Sequence, residues 1–175
     1  MAETALIVPV PQADSRVRAL REQFDPSARL GVPSHITVLF PFMSPQRIGP
    51  DTLLALQTAL GQVGAFAFTL EKIGRFPATT YLAPEPSEPF TALTQAVTQR
   101  FPGFPPYRGE YSTAVPHLTV ANGHSEDAER VEERLRTLMR QRGPIHAFCS
   151  AVILLENSSG RWVQLHEFAL PRSID

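Results

Sequence analysis

Apolar and polar positions alternate through "PSHITVLFPF", residues 33–42, with the period of a strand that buries one face. Successive side chains on a strand point to opposite sides. Ile36, Val38 and Phe40 therefore read as a core face, while His35 and Thr37 project together from the other. The same reading gives a strand over residues 4–10, then a helix with Val17, Leu20 and Phe24 at helical spacing, interrupted at Pro26 and Gly31. Gly49 and Pro50 open a second helix, in which Leu53, Leu56, Leu60 and Val63 make one stripe and Asp51 sits in the favourable first turn. Strands follow at 66–76 and 79–84, separated by a turn at Pro77 and Ala78. A third helix starts near Ser87 and Pro89 and buries Phe90, Leu93, Val97 and Phe101.

Periodicity then disappears over residues 102–116, a proline-rich stretch that reads as a long loop; loops of this length in compact domains tend to be functional or disordered. A strand at 117–122, "HLTVAN", leads into a charged helix over 125–141 with Val131, Leu135 and Leu138 inside. The acidic start and arginine-rich end of that helix complement its dipole. Strands at 145–156 and 161–170, joined through Asn157 to Gly160, close the chain as a hairpin.

The sequence contains the polar pair twice. "HITV" at 35–38 and "HLTV" at 117–120 both run histidine, aliphatic, threonine, valine, each with a proline within two residues ahead and each followed by a helix and two strands. A lone strand histidine is most simply a hydrogen-bonded structural residue, but its repetition in the same context points to two similar units. Packed about an approximate twofold axis, such units bring the motif strands together and turn both polar pairs into one cleft.

Composition limits what that cleft can hold. The chain of 175 residues suits one domain, and 43% hydrophobic with 19% charged residues describes an ordinary globular protein. A formal net charge of −1 gives no global attraction to nucleic acid, so any binding to a phosphate must rely on a local set of donors. Fifteen of the 16 basic residues are arginine and only Lys72 is lysine; most of the arginines fall on helix surfaces and need mean no more than codon bias. The single cysteine, Cys149, excludes an internal disulfide, fits a reducing compartment, and reads as a small buried apolar residue. With no apolar run near the ~20 residues that span a bilayer and no leader pattern, the expected location is cytoplasmic, without membrane partners.

A displacement in which the attacking group loses a proton while the group leaving opposite gains one calls for a base and an acid that face each other. Two facing imidazoles can supply both near neutral pH, and a hydroxyl beside each can donate to oxygens on which charge develops. Neither motif contains an acidic residue, and the chain has no helical HExxH and no cysteine pair, so neither a metal nor a cofactor is expected.

These residues, with the closing hairpin "VILLENSSGRWVQLHEFAL", resemble the two-histidine phosphoesterases, the superfamily of 2′-5′ RNA ligase-like proteins and cyclic phosphodiesterases. The resemblance covers nearly the whole chain. It implies an α+β, bilobal fold over residues 1–175, two pseudo-symmetric strand and helix units with mainly antiparallel sheets flanking a central cleft. It also implies metal-independent hydrolysis of 2′,3′-cyclic phosphates or 2′,5′ linkages, with His35 and His117 catalytic and Thr37 and Thr119 binding phosphate. Asn122 stands where many relatives carry a basic residue.

Arg75, Tyr81, Tyr107, Arg108, Tyr111 and Asn122 are further candidates for substrate contact, since arginine pairs with phosphate and tyrosine stacks on bases. His124, His146 and His166 lack a threonine partner and read as structural or surface residues, and Trp162 reads as core. The expected partner is a nucleotide or RNA end bound by a monomer. Two other uses of the same cleft are a non-catalytic nucleotide-binding module and an RNA 2′-5′ ligase.

Overall fold

A computed structural model describes residues 1–110 and 114–172. The elements are β1 (Thr4–Pro9), α1 (Asp14–Phe24), α2 (Pro26–Arg29), β2 (His35–Leu39), α3 (Pro50–Leu60), β3 (Phe66–Phe76), β4 (Thr79–Glu85) and α4 (Glu88–Arg100). They continue with β5 (Leu118–Asn122), α5 (Ser125–Arg142), β6 (Ile145–Cys149), β7 (Ala151–Glu156) and β8 (Val163–Ala169). Two four-stranded antiparallel sheets result, a first in the order β2-β1-β7-β8 and a second in the order β5-β4-β3-β6. This is the expected α+β class. Each motif strand is the edge of its sheet, and β2 and β5 lie in contact.

The fold repeats differently from the linear order. Its spatial unit is a strand, a helix and then the motif strand, β1–α1–β2 in the first sheet and β4–α4–β5 in the second. The connecting helices are exchanged, since α1 packs on β5 and α4 packs on β2. The expected single strand over 145–156 is two strands. The stretch is mostly apolar, but β6 pairs with β3 in one sheet and β7 with β1 in the other, the chain crossing between them at exposed Ser150. The hairpin itself is β7–β8, and β8 begins at Val163 rather than Arg161.

One continuous core joins the inner sheet faces to the helices. Leu6, Val8 and Ile36 of the first sheet, Leu82, Leu118 and Val120 of the second, and Val17, Leu56, Leu93 and Val131 of the helices are all fully buried. Burial of each such side chain is worth about 1.5–3 kcal/mol, so this shared cluster holds the two motif strands in fixed relation. Cys149 belongs to it, and burial pushes its thiol up to about 12. No helix among the described residues is long and apolar enough to cross a membrane.

Candidate active site

Both motif strands carry a bulge at the same place. On β2, Thr37 pairs with Ile7 and Leu39 with Leu6, leaving Val38 as the extra residue; on β5, Thr119 pairs with Tyr81 and Ala121 with Thr80, leaving Val120 extra. A bulge shifts the alternation by one, so Val38 and Leu39 are both buried, as are Val120 and Ala121. The next residue in each motif is thereby delivered to the polar face. Phe40, read from strict alternation as core, instead joins His35 and Thr37, and Asn122 joins His117 and Thr119.

These six residues line one cavity of about 320 Å³, within the size range of small-ligand sites. The two histidines are held by the same device. His35 Nδ1 donates to the Pro33 carbonyl at 2.7 Å, and His117 Nδ1 donates to the Val115 carbonyl at 2.6 Å. A carbonyl can only accept, so each neutral ring carries its proton on Nδ1 and is left with the lone pair of Nε2. Burial pushes the His35 imidazole down to about 4; Arg21 and His117 push the same way, while the Pro33 carbonyl and Asp25 oppose. Burial also lowers His117, against the Val115 carbonyl. Both rings are thus biased toward the neutral form in the free protein.

The walls differ in chemistry. On the first sheet, Ala5, Ile7, Leu155, Phe40 and Trp162 make an apolar surface, with Phe40 and Trp162 edge to face at 6.0 Å. Trp162, which reads as core, packs against the apolar cluster of Ala5, Ile7, Val32, Ile153 and Leu155 and also lines the cavity. It lies just ahead of β8, its backbone N–H donates to Leu30 O at 2.8 Å, and its half-buried ring faces the cavity. On the second sheet the Tyr81 ring packs against His117, centroids 5.4 Å apart, and against Phe76 at 4.7 Å. Gly74, opposite Tyr81 on β3, makes room for that ring, since a Cβ there would lie 2.2 Å from Tyr81 Cζ.

Behind His35 lies a buried ion pair that sequence patterning misses. Arg21 and Asp25 are 4% and 2% exposed, and the guanidinium donates through Nε and Nη2 to Asp25 Oδ2. It also donates to Val32 O at 3.1 Å, while Asp25 caps α2 by accepting from the Ser27 backbone N–H and hydroxyl. The Asp-Pro-Ser sequence signals the cap, but nothing in α1 distinguishes buried Arg21 from its exposed neighbours. Asp25 and Ser27 line the cavity.

The other sequence candidates separate. Tyr107 lines the cavity, in a turn where Tyr107 and Arg108 both adopt left-handed backbone angles and the Tyr107 N–H donates to Phe40 O at 2.7 Å. Asn122 lines it while accepting from the Thr79 hydroxyl at 2.9 Å. Tyr81 supports His117 from behind. Arg75 is committed to Glu132 and Arg108 to Glu3, and neither lines the cavity. Tyr111 lies outside the described residues. Among the described residues no lysine or arginine lines the cavity, and no three His, Cys, Asp or Glu side chains converge as a metal-binding group.

Comparison with known proteins places the chain in a family. A Bacillus cereus protein named "Putative phosphoesterase" is 29% identical over 168 residues, 94% of each chain, and a similarly named Bacillus cytotoxicus protein is 30% identical over 73% of this chain and 72% of its own. Among solved structures, TT0787 of Thermus thermophilus superposes with a TM-score of 0.64 at 17% identity, covering 98% of this chain and 100% of its own. E. coli LigT complexed with 3′-AMP superposes with a TM-score of 0.61 at 17% identity, covering 96% and 97%; both likenesses are of fold. The family model described as 2'-5' RNA ligase superfamily matches residues 9–161, a span that includes both histidine motifs and both bulges, and the chain belongs to that superfamily of 2′-5′ RNA ligase-like phosphoesterases.

Proposed function

We propose that the protein is a metal-independent phosphodiesterase that opens a 2′,3′-cyclic phosphate, or cuts a related 2′,5′ linkage, on a nucleotide or RNA end. The observation that carries this reading is the pair of histidines, locked in one tautomer by equivalent carbonyls, on a single cavity with a threonine beside each. His35, held down to about 4, is neutral at physiological pH and takes the proton of the attacking water. His117 is protonated when the phosphate anion binds and delivers a proton to the departing oxygen. The Thr37 and Thr119 hydroxyls donate to the non-bridging oxygens as charge redistributes on them.

The nucleoside lies against Phe40 and Trp162, whose rings offer a stacking surface. The E. coli fold neighbour has been crystallised with 3′-AMP and with NADP+, ligands that share the nucleotide chemistry proposed here. The absence of a cationic side chain around the cavity among the described residues favours a second reading, a module that binds nucleotides without turnover. Incubation of the purified protein with nucleoside 2′,3′-cyclic phosphates in excess chelator separates the two. Release of a 2′- or 3′-monophosphate is expected. Quenching of Trp162, the only tryptophan, without product would leave the binding module.

A further inference from the structure

His117 stands between two chambers. Beyond the cavity it shares with His35 lies a second, of about 550 Å³, and the two have Tyr107, His117, Thr119 and Asn122 in common. The second chamber extends along the β3–β4 turn, where Phe76, Pro77, Ala78 and Thr79 line it. Phe76 is an uncommon residue to leave at such a place: 36% exposed, with its ring covered on one side by Tyr81 and meeting His117 edge-on at 5.4 Å. A flat group entering this chamber would extend the Tyr81–Phe76 stack.

From this juxtaposition we infer a second nucleoside subsite, with Phe76 as its stacking residue. The inference rests on the proposed phosphodiesterase reading and sharpens it. With phosphorus between the two histidines, one nucleoside lies on the Phe40–Trp162 wall and the other passes His117 into the second chamber. The preferred substrate is then a diester whose phosphorus bridges two nucleosides. In its hydrolysis a water oxygen bonds to phosphorus and gives its proton to His35. The bond from phosphorus to the second nucleoside's oxygen breaks, and that oxygen takes a proton from His117. Apart from His117, which the two chambers share, no charged side chain lines the second chamber among the described residues, which suits a base and sugar better than a further phosphate.

The test compares kcat/KM for a 2′,5′-linked diadenosine monophosphate with that for adenosine 2′,3′-cyclic phosphate, in the wild type and in Phe76→Ala and Phe76→Tyr. The wild type is expected to favour the dinucleotide at least tenfold; F76A lowers that ratio about tenfold and F76Y restores it, as loss and return of a stacked base imply. Taking the ratio within one variant cancels any effect of Phe76 on the His117 ring. Equal losses on both substrates, or a wild type indifferent to the second nucleoside, overturn the subsite and leave the phosphodiesterase reading standing. Turnover of neither substrate by the wild type overturns the reading on which it rests.

Discussion

At the scale of single residues the two imidazoles are alike in tautomer and unlike in surroundings. Each gives Nδ1–H to a carbonyl two residues back, but only His35 has the Arg21–Asp25 pair behind it. Replacement of either histidine by alanine is expected to lower turnover at least a hundredfold, measured by product release at saturating substrate. The dependence of kcat/KM on pH follows from the directions of the shifts. A neutral His35 and a protonated His117 coexist best above about 4 and below the ordinary histidine value of 6.5, so the bell should peak in mildly acidic buffer and descend through neutrality. Stability follows the same shift. Because the folded His35 stays neutral down to about 4 while the unfolded ring takes a proton near 6.5, acidification through that window favours the unfolded chain. Thermal midpoints of the wild type should therefore fall from pH 6.5 to 4 more steeply than those of His35→Asn.

At the scale of elements the decisive feature is the bulge shared by β2 and β5. The histidines and threonines are legible in the sequence because a period of two suffices to pair them. Phe40 and Asn122 are not, because one extra residue reverses the face and alternation has no mark for it. The long helices are readable from their stripes and caps, but α3 ends at Leu60, three residues short of Val63, and the short α2 lies where Pro26 reads as a break. The break at Ser150 is hidden, since Ala147–Cys149 before it and Ala151–Leu155 after it are both apolar and one serine between them reads as part of a single strand. Tertiary demand also explains Gly74, which the sequence shows only as a glycine inside a strand. Gly74→Ala forces the Tyr81 ring off its seat against His117. A loss of about 1–3 kcal/mol in denaturant unfolding is expected, together with lowered turnover, and an unchanged rate would separate the Tyr81 support from catalysis.

At the scale of the whole molecule the two sheets are dependent on each other. Each is covered in part by the helix that connects strands of the other, and the core runs through both without a boundary. A cleft framed this way holds the two histidines in fixed relation, as preorganised sites require.

The placement of β1 between β2 and β7 has a consequence for synthesis. The first sheet is assembled from residues 4–39 and 151–169, so a nascent chain leaves the ribosome with β1 half-paired until nearly all of it has emerged. Until then the chain exposes an unpaired strand edge, the feature by which aggregation starts. A truncation after Ser150 holds that state permanently, stripping Val152, Leu154 and Phe168 from the core as well. It should yield no cooperative thermal transition by circular dichroism and should be recovered mainly as aggregate, so that both histidine motifs survive intact in the sequence of a chain that never forms the site.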